Sequence, residues 1–361
     1  MRAHVFPGRN SAGSSRREFL KSVAALGVGP LLPANGFFAQ RKPAAAASSI
    51  ARIDIHHHIV PPGLLQALGA QRLGGASANW TPAQALDDMD KAGVSAGMSS
   101  IAPAGDPFRD PSTAVRLCHE CNEYAARLAA DHPRRFGVFG ALPLPNIDAS
   151  LREIEYAFDT LKADGISLFT SYGDKWLGDP AFNPVFEELD RRHAVVYTHP
   201  NTANCCRNLL ANVGDGAIEW GTDTTRAIAQ MIFGGAAARY SNLRMIFSHG
   251  GGTMPFLVER FTAMARSAQY ASKFPEGFAG AAAKFYYDTA QVANPAAMSA
   301  LSKVVPISQI VFGTDFPFRS AAEHVKGLKD CGVFRPRDLQ AIDTNALRLL
   351  PKLGGRGGRG V

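Results

Sequence analysis

Cysteine is scarce. Five stand in 361 residues, at 118, 121, 205, 206 and 331, too few and too scattered for disulfides to hold a chain of this length together. Cys118 and Cys121 form a C-x-x-C, but inside a helical pattern rather than at a strand-to-helix turn, so packing on one helix face accounts for them. No apolar run reaches the roughly 20 residues that span a bilayer, which argues against a permanent membrane anchor. No G-x-G-x-x-G follows the first strand candidate, so a dinucleotide fold has little support. The composition, 46% hydrophobic and 19% charged with 35 Gly and 23 Pro, excludes wholesale disorder, a coiled coil and a polytopic membrane protein.

A formal charge of +7 suggests a polyanion partner until its location is considered. In residues 1–43, Arg2, Arg9, Arg16, Arg17, Lys21, Arg41 and Lys42 face one acid, Glu18, and account for +6. Arg356 and Arg359 add +2 after Leu353, so residues 44–353 carry −1. The body is nearly neutral, and nucleic acid is not an expected partner.

Ser15-Arg16-Arg17-Glu18-Phe19-Leu20-Lys21, followed by an apolar run over 22–32, resembles a twin-arginine export signal. Residues 1–47 are therefore expected to be a signal peptide and linker, with small residues for cleavage at Ala39 and over 44–47. Export by the twin-arginine translocase and a periplasmic or secreted location follow as expectations. The Gly/Arg tail over 354–361 is expected to be flexible.

Between them, short β-branched or aromatic runs alternate with helical patterns. Strands are expected over 51–55, 95–101, 136–142, 165–170, 194–198, 243–248, 285–288 and 309–313. Thr81-Pro82, Asp179-Pro180 and Asn294-Pro295 each place a capping side chain before a proline at a helix start. Eight such units in about 300 residues predict an α/β fold of the (β/α)8 TIM-barrel type over 48–353. The stretches 60–80 and 200–221 are long connections expected on the C-terminal rim.

The chemistry-bearing residues recur at strand ends. His56 and His58 close the first strand at i and i+2, so both point into the mouth while His57 points away, and the pair is spaced to share one metal ion. His199, His249 and Asp315 end three other strands, where barrels place their active-site residues. Imidazole and carboxylate ligands suit zinc, with manganese or iron as alternatives. Asp54 is expected to orient a ligand, and Asp288 is a second such candidate. Trp176 and Phe316 are candidates to wall an aromatic substrate, with packing as the other reading. Gly250 to Gly252 read as a tight turn beside the metal site.

Five motifs in order resemble the amidohydrolase-related family, especially its metal-dependent decarboxylases of the aminocarboxymuconate-semialdehyde type. They are Asp54-x-His56-x-His58-x-x-Pro61, Thr198-His199-Pro200, His249-Gly250-Gly251-Gly252-Thr253-x-Pro255-Phe256 with Arg260, Gly313-Thr314-Asp315-Phe316-Pro317, and Asn345-Ala346. The resemblance implies His56, His58, His199 and Asp315 as metal ligands and His249 as catalytic acid/base, with Asp315 able to share the proton work. It implies Arg260 as a grip for a substrate carboxylate, and a homodimer. Strand 4 lacks the carboxylated Lys or Glu of binuclear relatives, which favours one metal ion. An arginine that the aminocarboxymuconate-semialdehyde enzyme carries is not found over 84–87, so a different substrate is expected. The implied activity is non-oxidative decarboxylation of a small aromatic or dienoic acid of hydroxybenzoate type. Hydrolysis of a lactone, ester or amide by the same ligand set is the alternative.

Overall fold

The computed structural model describes residues 51–101, 108, 110–272 and 275–354. The expected leader over 1–47 and the tail beyond Gly354 lie outside the described residues. Eight parallel strands, β1 (Arg52–Ile59), β2 (Val94–Ile101), β3 (Phe136–Ala141), β4 (Gly165–Phe169), β5 (Val195–His199), β6 (Arg244–Phe247), β7 (Tyr286–Asp288) and β8 (Ile310–Val311), pair in chain order. The first and last are joined by backbone hydrogen bonds from Ile55 to Phe312 at 3.0 Å, from Asp315 to His56 at 2.8 Å and from His58 to Phe316 at 2.8 Å. The sheet thereby curls into a nearly closed (β/α)8 barrel.

Helices cover it because their caps and faces are written locally. Thr81 accepts the amide of Gln84 at 3.2 Å to start Pro82–Ala92, and Asn294 accepts that of Ala297 at 3.0 Å to start Pro295–Val304. Helix Pro111–Asp131 buries Leu117, Cys118, Cys121, Ala125 and Leu128 along one stripe. Burial there pushes the Cys121 thiol up to about 12, so this C-x-x-C is packing. The stretch 60–80, read as a loop, instead holds the short helix Pro62–Leu68 and a helical segment over Ala70–Ala78 that is kinked at Gly74 (φ 73°). Leu64, Leu68 and Leu73 are buried there, and this packing holds short turns that Gly69 and Gly74 interrupt. The stretch 200–221 is mostly irregular, with single turns at Asn204–Cys206 and Asp215–Ala217.

Two apolar layers follow from the geometry. One lies between barrel and helices. The other fills the interior with Ile53, Ile55, Met98, Phe139, Tyr197, Ile246 and Val311, continued by Leu349, Leu350 and Leu353 of the last turns. Asn345 donates to the carbonyls of Ile307 and Ile310 at 2.7 Å each, tying those turns to β8.

Candidate metal centre

The first strand changes its facing just below the site. Ile53 and Ile55 point into the barrel, so strict alternation would send His56 and His58 outward. Three steps from Asp54 to His57 match only two from Gly97 to Ser99 on β2. That extra residue is a bulge, and it re-aims His56 and His58 into the mouth. His57 turns to the other side, stacked on Phe316 with ring centroids 4.7 Å apart.

His56, His58, His199 and Asp315, all buried, offer ligand atoms that lie within 4.8 Å of one another. Asp315 Oδ1 is 3.1 Å from both His56 Nε2 and His58 Nε2. Each imidazole is oriented through its other nitrogen. His56 Nδ1 is 2.8 Å from Asp288 Oδ2, His58 Nδ1 is 3.2 Å from Ser100 Oγ, and His199 Nδ1 is 2.8 Å from the Pro200 carbonyl. A carbonyl or carboxylate accepts, so a hydrogen sits on Nδ1 of both His56 and His199, and Nε2 is the nitrogen each turns toward the cluster. His199 Nε2 has no hydrogen-bond partner although buried, and Asp315 Oδ1 has only the two imidazole nitrogens beside it. Such orphaned acceptors are costly unless a cation completes them, and three nitrogens with one carboxylate oxygen suit a borderline divalent ion.

The electrostatics divide the histidines. Burial pulls His56 down, yet the carboxylates of Asp288 and Asp315 outweigh it and push its pKa up to about 10. Burial lowers His58, His249 and, most strongly, His199, so these rings are neutral near pH 7. Burial works against the Asp315 carboxylate too, but the His56 and His58 imidazoles hold it well below the usual range.

His249 stands beside the cluster, its ring centroid 4.9 Å from that of His56. It donates from Nδ1 to the Ala290 carbonyl at 3.0 Å, and its buried Nε2 has no partner. His249 (φ 53°), Gln291 (φ 62°) and Asp315 (φ 69°) all hold left-handed backbone, a concentration of strain at one place. Gly252 lies so close to helix Glu219–Phe233 that a Cβ on it would stand 2.0 Å from the Gly221 carbonyl oxygen. The glycine run is thus a tight turn.

The expected orienting residues are in contact with the site. Asp54 accepts from the amides of His56 and Thr314 at 3.0 Å each and from the Thr314 hydroxyl at 2.6 Å. Asp288 also accepts the amide of His249 at 2.8 Å, so one carboxylate positions both His56 and His249. Three other expected residues stand apart. Arg260 is exposed on helix Met254–Ala265. Trp176 gives its indole N–H to buried Asp223 at 2.5 Å, with the Arg226 guanidinium over its ring. Phe316 packs on His57, behind the converging rings. Aromatic rings near the His/Asp cluster include Phe318, 6.0 Å from the His58 ring, Trp220, 5.8 Å from the His199 ring, and the interior Tyr197, 5.4 Å from the His56 ring. Gln291 was also missed in the sequence; it donates to Asp315 Oδ2 at 2.6 Å. Gln291 and Phe318 lie on irregular segments with no periodic signal, and Trp220 in the first turn of helix Glu219–Phe233, next to an irregular stretch.

An eight-stranded α/β barrel with histidines and an aspartate gathered at its C-terminal mouth defines a metal-binding barrel protein. The amidohydrolase family model matches residues 53–352, and the chain belongs to that family. It is 37% identical over 284 residues to decarboxylase yanB of Aspergillus niger, covering 74% of this chain and 77% of that one. It is 34% identical over 322 residues to the 6-methylsalicylic acid decarboxylase of Penicillium expansum, covering 85% and 98%. The crystal structure of 5-carboxyvanillate decarboxylase from Sphingomonas paucimobilis superposes with a TM-score of 0.71 at 22% identity, covering 84% and 99%, which establishes the shared fold.

Proposed function

We propose that this protein is a metal-dependent, non-oxidative decarboxylase of a small aromatic carboxylic acid of hydroxybenzoate type. The observation that carries the reading is the convergence of His56, His58, His199 and Asp315 beside a free His249 Nε2, in a chain similar over most of its length to named decarboxylases. We assign these four residues as ligands of one ion, zinc first and manganese second. When bound, such an ion supplies Lewis acidity toward a substrate carboxylate or phenolate oxygen.

The chain's own residues do the rest. His249, neutral and protonated on Nδ1, has its Nε2 lone pair available to take a proton from a substrate hydroxyl and return it to the ring carbon. The ring–carboxyl bond breaks, CO2 leaves, and the electron pair left on carbon takes the proton from Nε2. Phe318 and Trp220, whose rings lie beside those of His58 and His199, are candidates to face an aromatic ring.

Arg260 on its exposed helix, near exposed Phe256, is compatible with a homodimer in which it grips a carboxylate. Twin-arginine export to the periplasm or outside the cell rests on the motif at Arg16-Arg17, and no described helix is long and apolar enough to cross a membrane. The test is metal analysis of the purified protein together with CO2 release from a hydroxybenzoate panel that includes 6-methylsalicylate. One equivalent of metal and metal-dependent CO2 release are expected. Metal-dependent lactone hydrolysis with no CO2 from the panel would overturn the reading.

A further inference from the structure

A cavity of about 520 Å3 opens at the ends of β3, β4 and β5, with Leu144, Phe169, Tyr172, Asn201 and Arg207 among its walls. Its size lies in the usual range for small-molecule sites, about 300 to 1,000 Å3. It adjoins the metal cluster through the register of the sheet. Phe169 is the residue paired with His199, and partners in a parallel ladder present side chains to the same face. Phe169 and His199 therefore rise side by side from the mouth, and Asn201 follows two residues after His199.

Among the described residues Arg207 is the one cationic side chain lining this cavity, and its hydrogen bonding is incomplete. Its Nε is buried with no partner, and among the described residues no carboxylate pairs with it. The backbone on both sides is anchored: Cys205 donates to Asp174 Oδ1 at 2.7 Å, and Asn208 to Asp215 Oδ1 at 2.8 Å. The loop is thus held, while the guanidinium it carries has an unused Nε donor in a cavity whose other walls include the rings of Phe169 and Tyr172, with centroids 6.0 Å apart. A planar fork next to aromatic walls is suited to a carboxylate on a ring.

We propose that this cavity is a specificity subsite: it receives the part of the substrate remote from the reacting carboxyl group, and Arg207 selects a ring bearing a second carboxylate there. The proposal rests on the decarboxylase reading only for the reaction, not for the ligand class.

Calorimetry on the metal-loaded protein, with isophthalate, 3-methylbenzoate and benzoate as unreactive probes, tests it without turnover. Wild type is expected to bind isophthalate about 10- to 100-fold more tightly than 3-methylbenzoate, the range of a charge-assisted pair. Arg207→Gln should abolish that preference while leaving benzoate affinity within about twofold, and Arg207→Lys should restore part of it. Absence of the preference in wild type, or its survival in Arg207→Gln, overturns the subsite. CO2 release is measured alongside: binding preference without CO2 from any acid supports the subsite and removes the decarboxylase, whereas CO2 release without the preference does the reverse.

Discussion

At the scale of single residues, the unusual group is His56, pressed between two carboxylates and pushed up to about 10. In the metal-free protein it is protonated at neutral pH, so a cation ligated through Nε2 must displace that proton. Apparent metal affinity should then rise about tenfold per pH unit between pH 7 and 9, with close to one proton released, measured by titration in buffers of different ionisation enthalpy. A pH-independent affinity would remove His56 from the ligand set. Asp288 is the second lever, because it holds both His56 and His249. Asp288→Asn keeps the shape but lacks the charge, and metal affinity should fall about 10- to 100-fold in a chelator competition. The convergence of these proposed ligands was legible in the sequence because imidazoles and carboxylates at strand ends are rare and chemically specific. Gln291 and Phe318 were not, since their positions depend on left-handed turns and loop paths that have no period, and Trp220 was not, since it opens helix Glu219–Phe233 directly after an irregular stretch. The bulge in β1 escaped as well: the i, i+2 spacing of His56 and His58 was read correctly, but the extra residue that faces them inward shows only in the pairing with β2.

Among elements, the turn from β6 into helix Met254–Ala265 is the most tightly specified. Gly252 combines φ 65° with a backbone approach that admits no side chain, whereas Gly235 at φ 83° has nothing within 4 Å of its virtual Cβ. Gly252→Ala must move the Gly221 helix or the His249 turn, and should cost about 3 kcal/mol or more. Gly235→Ala meets only the left-handed backbone penalty, about 1 to 2 kcal/mol. Thermal denaturation of the two variants checks the order; equal losses would mean that the turn is not held by helix Glu219–Phe233. The elements themselves were mostly legible. Strand positions agreed to within a few residues, and β7 and β8 are shorter than their apolar runs, although Phe312 beyond β8 still pairs with Ile55. The two helical segments within 60–80 were hidden by Gly69, Gly74 and Gly75, which break the periodicity while Leu64, Leu68 and Leu73 still pack.

For the whole molecule, the four proposed ligands come from β1, the end of β5 and the turn after β8, so a shared ion would tie the two ends of the barrel sheet to its middle. Binding of this kind acts on folding by mass action. A free ion at about 1,000 times its Kd stabilises by about 4 kcal/mol, and at about 2 to 4 °C per kcal/mol for a domain of this class the Tm should drop by about 8 to 16 °C when the ion is removed. The metal-free form should also have a stability maximum near neutral pH. His56, raised from 6.5 to about 10, contributes stability that is complete below pH 6.5 and is lost as pH climbs through 10. His58, His199 and His249 are lowered, so the unfolded chain takes up protons that the folded one refuses, and stability falls as pH drops below 6.5. Metal-loaded protein should lose the alkaline limb attributable to His56, because a ligated Nε2 no longer carries the proton. Melting curves with and without chelator from pH 5 to 10 distinguish the two forms. A chelator that leaves Tm unchanged at every pH would mean that no ion spans these strands.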